Sequence, residues 1–186
     1  MVLEIIGLVV IIGAVIVALW FLLAYNGFVQ LRNRIDNAWS QIDVQLKRRY
    51  DLVPNLMETV KGYAKHEKET FKMVTDARAQ ALNAQGVSQQ GKAENMLSGA
   101  LKSLFAISEA YPALLANKNF AMLQEELSGI ESKIAFSRQF YNDEVLRFNT
   151  KTETLPDTII AGIFGFKKRD YFGIEEQARD PVKVKF

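Results

Sequence analysis

Twenty consecutive residues without a charge, Ile5 to Ala24, read IIGLVVIIGAVIVALWFLLA and limit what the rest of the chain can be. At about 1.5 Å per residue, such a helix covers the roughly 30 Å hydrocarbon core of a bilayer. Trp20 and Tyr25 stand at the end of the run, where aromatic rings favour the headgroup boundary. A secretory signal peptide would place a basic residue before the run and a small-residue cleavage site after it. Here Glu4 precedes the run and no such site follows, so residues 1–25 read as a short stub and a retained transmembrane anchor. Basic residues near the span lie on its carboxyl-terminal side, at Arg32, Arg34, Lys47, Arg48 and Arg49. That bias predicts a single-pass protein with a short amino terminus outside and the body in the cytoplasm.

The remainder is long enough for one domain with one core. The whole chain's 23 basic and 21 acidic residues are mixed along the sequence, so no single-sign field is implied and a nucleic-acid partner is not expected. The chain has no cysteine, which excludes a disulfide framework, a thiolate nucleophile and Cys-based zinc sites. A single histidine excludes a multi-His site and leaves only carboxylate-based metal chemistry open. No cofactor is implied, and Gly91 and Gly99 do not belong to a phosphate-binding loop of the GxxxxGK[ST] kind.

Helical periodicity fills the body. Phe28, Leu31, Ile35, Ala38 and Ile42 recur at spacings of three and four and predict a helix over Asn26–Tyr50, with no proline between it and the apolar run. Asp51 to Pro54 reads as a corner, with Asp51 capping and Pro54 in the first turn of a second helix that reaches about Ala84. Ser88 starts a third helix through Leu97, Leu101 and Leu104, which Pro112 kinks or breaks. Asn117 or Asn119 caps a fourth that keeps its rhythm from Phe120 to Phe148 and runs to about Lys151. The predicted fold is therefore all-α: an N-terminal transmembrane helix, then an antiparallel up-and-down four-helix bundle with long helices over residues 26–155. In that topology the fourth helix returns toward the membrane and delivers a membrane-proximal tail, residues 156–186. Within the tail Ile159, Ile163, Phe164 and Phe166 precede the basic triplet Lys167, Lys168 and Arg169. These residues either seal the open end of the bundle, the favoured reading, or lie at an anionic membrane surface.

The run LRNRIDNAWSQIDVQLKRRYDLVPNLMETVKGYAKHE, Leu31 to Glu67, resembles the hallmark of the LemA family of bacterial membrane-anchored proteins. PDTIIAGIFGFKKRDYF, Pro156 to Phe172, resembles that family's carboxyl-terminal segment. The resemblance covers nearly the whole chain and implies a short outer stub, an anchor in the bacterial inner membrane and a bundle of long helices. It carries no defined activity.

Candidate interaction or polar-network residues are therefore drawn from that run: Arg34, Asp43, Arg48, Arg49, Asp51, Glu58 and His66. If the first two helices are antiparallel, residues near Asp43 and Glu58 face one another across the corner, which favours helix registration over a binding surface. Asp43 with Lys47 and Glu58 with Lys61 are spaced as helical ion pairs, each contributing only a few tenths of a kcal/mol. Trp39 reads as a packing residue. His66 lacks the second histidine of a zinc-protease motif and has no identifiable nucleophile to serve. Two functions stay open: a membrane-attached structural or protein-interaction scaffold, or a bundle binding a metal or small ligand through carboxylates such as Asp43 and Glu58. The partners expected are the lipid bilayer, an unidentified membrane or cytoplasmic protein, and a second copy of the chain. The last would assemble through the anchor or through outward aromatic residues such as Phe136 and Phe140.

Overall fold

The computed structural model describes residues 1–173, and these form six helices. They are α1 (Val2–Lys61), α2 (Lys68–Asn83), α3 (Gly86–Ser108), α4 (Pro112–Leu115), α5 (Lys118–Glu153) and α6 (Asp157–Phe164). The apolar run and the first amphipathic helix are one element. α1 rises about 90 Å without a break, and the part beyond Ala24 accounts for about 55 Å of that.

The expected corner at Asp51–Pro54 is not a corner. Pro54 lies inside α1, where it has no N–H to give to the carbonyl of Tyr50 four residues earlier. Arg78 of α2 supplies the missing donor, with its Nε 2.9 Å from that carbonyl oxygen. The helix ends about two turns later, where Gly62, Tyr63 and Ala64 bond back to the carbonyls of Glu58 and Val60. The residues between Gly62 and Glu67 then turn the chain into α2, half the length expected of the second helix.

The later elements follow the pattern of their residues closely. α3 opens at Gly86, whose φ of +78° favours glycine, and it stops before Pro112, which begins α4. Asn117 caps α5 by accepting from the amides of Asn119 and Phe120 at 2.9 and 3.1 Å. Gly165 ends α6 at φ +68°, and the amide of Phe166 bonds back to the carbonyl of Ala161 at 2.9 Å.

Packing joins two antiparallel helix pairs into the bundle. α5 lies along α1, burying Phe28, Ile35, Ile42 and Leu46 against Ile134, Tyr141, Val145 and Phe148. The shorter α2–α3 hairpin covers the far end of α1 with Val74, Ala81, Leu97 and Leu104, and its inner end lies beside Arg49 and Tyr50. Below that level the tail takes the place of the hairpin. Phe166 stacks on Phe28 with ring centroids 4.7 Å apart, and Phe172 meets Trp39 at 5.7 Å. Trp39 also meets Tyr141 at 5.7 Å, a packing role rather than a clamp. A Cβ on Gly91 of α3 would come within 3.0 Å of the backbone nitrogen of Gly173, so the tail runs directly against that helix.

Candidate functional site

The helices bring polar residues together at two places. The first is a network where the two helix pairs meet, buried at Arg49 and Glu94 and open to solvent at Glu131. Arg49 of α1 is 1% exposed and pairs with Glu94 of α3, itself 3% exposed, and with Glu131 of α5. Its Nη1 also donates to the hydroxyl of Ser98 at 2.9 Å, and that hydroxyl donates to Glu131 at 3.1 Å. Tyr50 donates its hydroxyl to Glu94. Gln90 then closes the cluster, its Nε2 standing 2.7 Å from Glu94, 2.8 Å from the Tyr50 oxygen and 3.1 Å from the carbonyl of Ala81 at the end of α2. Burial raises the pKa of Glu94 above the ordinary glutamate value, Arg49 opposes that shift, and the neighbouring Glu131 carboxylate adds to it.

Beside this network a groove of about 420 Å³ opens between α3 and α5, lined by Arg49, Ser98 and Glu131 together with Lys102, Ser128 and Ser132. Arg49 is neutralised by two carboxylates, and the cluster holds no nucleophile aligned with a base. Its chemistry is to fix α1, α3 and α5 in one register. Among the described residues, no group of three or more His, Asp or Glu side chains is arranged to hold a metal ion.

The second place is a clip that holds the tail. Asn149 donates to the carbonyl of Arg169 at 3.0 Å and accepts from the same residue's amide at 2.9 Å. Asn142 treats Phe172 the same way, at 3.1 and 2.9 Å. Tyr141 donates to the carbonyl of Asp170 at 3.0 Å, and burial, the largest influence on it, raises its phenol pKa so that it remains a donor.

Of the residues singled out in the sequence, only Arg49 enters the buried network. Arg34, Asp43, Arg48, Asp51 and Glu58 are exposed along α1, and His66 is exposed in the turn that follows it. Asp43 and Glu58 do not face one another across a corner. They share one helix, about 22 Å apart along its axis, because Pro54 does not end it. Neither the Asp43–Lys47 nor the Glu58–Lys61 spacing closes to an ion pair among the described residues. Tyr50, Gln90, Glu94, Ser98 and Glu131 were not legible as a site. The available signal was placement, since Glu94 falls on the apolar stripe of α3 seven residues before Leu101.

The tail divides between its two readings. Phe166 is half-buried in the aromatic cluster, whereas Ile159, Ile163 and Phe164 are exposed. Lys168 pairs with Glu153 and Arg169 approaches Asp36 at 3.9 Å, while Lys167 is exposed. Phe172, further along the same tail, is buried, and residues 174–186 lie outside the described residues.

Among the described residues these features define an all-helical bundle with one helix long and apolar enough to cross a membrane. The chain belongs to the LemA family, whose profile matches residues 38–186. It is similar to Magnetosome protein MamQ 2 of Paramagnetospirillum magneticum, at 24% identity over 87% of this chain and 69% of the relative. Magnetosome protein MamQ of Magnetospirillum gryphiswaldense matches with the same identity and the same shares. Protein LemA of Metamycoplasma hominis is 30% identical over 73% of this chain and 63% of its own length.

Proposed function

We propose that the chain is a single-pass protein of the bacterial inner membrane that acts as a structural or protein-interaction scaffold, with its bundle in the cytoplasm. The observation that carries this reading is the uninterrupted α1. One rigid element forms the apolar run and then the backbone of the bundle, so whatever the bundle presents is presented at a set height and azimuth. The basic residues after the run favour the cytoplasmic side. Along the outer face of the α1–α5 pair, Val44, Phe136 and Phe140 are 54%, 73% and 47% exposed, an apolar strip suited to a protein partner or a second copy.

The carboxylate-site alternative loses its named pair, because Asp43 and Glu58 are separated along α1. A photo-crosslinking residue placed at Phe136 or Phe140 of the full chain in native membranes tests the scaffold reading. Reproducible adducts at these positions, missing when the probe sits at Lys72 on α2, are expected; adduct-free membranes at both positions would sink it. Cell-surface labelling of the carboxyl terminus from outside would overturn the orientation.

A further inference from the structure

We propose that α6 is a second membrane contact, an amphipathic foot that seats in the interfacial layer of the leaflet from which the body of α1 emerges. Leu155, Ile159 and Ile163 follow one another at four-residue spacing and point away from the protein, 79%, 52% and 62% exposed. The opposite face of the same short helix is committed: Ile160 is 0% and Ala161 5% exposed against the bundle. Lys151 pairs with Asp157 at 2.6 Å and Gly165 closes the far end, so α6 cannot roll its apolar stripe inward.

The occupant of that stripe follows from its level on α1. Phe164 packs on Phe21 at 5.7 Å and on Tyr25 at 4.6 Å, which sets α6 against the last turns of the apolar run. Residues Ile5 to Leu19 of that run expose their side chains all round, as a lipid-facing helix does, and the α6 stripe continues that surface sideways at its end. An apolar stripe at this depth meets acyl chains and headgroups, and exposed Lys167 just beyond it suits an anionic headgroup. Lys168 and Arg169 are engaged with Glu153 and Asp36 and belong to the protein side of the contact. The foot would turn a one-point tether into a two-point one.

This inference rests on α1 spanning the membrane, and the two can fail separately. The chain has no native cysteine, so single cysteines at Val15, Phe136, Ile159 and Ile163 of the full-length protein can each carry a nitroxide. In vesicles of phosphatidylethanolamine and phosphatidylglycerol, the collision ratio with oxygen over a nickel chelate reports depth. High ratios at Val15, Ile159 and Ile163 and a low one at Phe136 are expected. A high ratio at Val15 with low ratios at both α6 sites overturns the foot alone, and a low ratio at Val15 overturns the membrane reading together with it. Dipolar broadening at Ile159 or Ile163 that vanishes on dilution with unlabelled protein assigns the stripe to a second copy and overturns the lipid assignment. Leu155, outside the helix, gives the same readout if either helical label lowers helicity.

Discussion

At the scale of single residues, the energetics concentrate in Arg49 and Glu94. Each is nearly excluded from solvent, and each is tolerable there only because the other is present. Arg49→Ala leaves the Glu94 carboxyl without its cation and is expected to cost about 3–5 kcal/mol in denaturant unfolding. The double change Arg49→Met with Glu94→Leu removes both charges and is expected to recover most of that loss. Recovery of none of it would mean that Arg49 acts mainly through Ser98 and Glu131. The pH dependence has a definite sign. Burial raises the Glu94 pKa, so the folded state holds the proton more tightly than the unfolded chain does. Its contribution is fully present below the ordinary value of 4.5 and is lost as pH rises through the folded pKa. Against this, Glu94→Gln is expected to flatten the fall in melting temperature above pH 4.5, read as the difference between variant and parent.

At the scale of elements, Pro54 and Arg78 form a unit. Arg78→Ala strands the Tyr50 carbonyl and is expected to cost about 1–3 kcal/mol. Pro54→Ala restores an N–H to that carbonyl, so Arg78→Ala in its background is expected to cost less, and a double-mutant cycle measures the coupling. Strict additivity would show that Arg78 is not the proline's compensation. The same pair shows what sequence can and cannot tell. α5 was readable end to end because its cap, its three-four stripe and its length are local properties. Pro54 was misread because its tolerance depends on a side chain 28 positions from Tyr50 in the chain. The network around Arg49 was hidden for the same reason, since its partners lie 45 and 82 positions away and charge patterning reports only neighbours along a helix. What could be read locally was the anomaly of a glutamate on an apolar stripe. The apolar tail was visible as a patch, but its division into a sealing face and an outward face depends on how α6 packs against α1 and α5.

At the scale of the molecule, α1 sets the reach. With no joint between the apolar run and the far turn, Tyr63 is expected about 55 Å from the plane of Ala24 if the rod stands upright. Energy transfer from a label at Tyr63→Cys to acceptor lipids measures that height. Efficient transfer, as from a bundle lying on the surface, would contradict an upright rod. The tail then spans the two halves of the bundle, from the aromatic cluster at Phe28 to the side of α3 at Gly91. Asn142 and Asn149 grip peptide groups rather than side chains, and so work as a ruler. Seven residues of helix advance about 10.5 Å and three residues of extended chain about 10 Å, which is why the two clasps fall in step. Such a ruler reads the backbone and is intolerant of the number of residues between its marks: one residue inserted there displaces a clasp by about 3 Å, and it would also pull Phe172 out of its buried place beside Trp39.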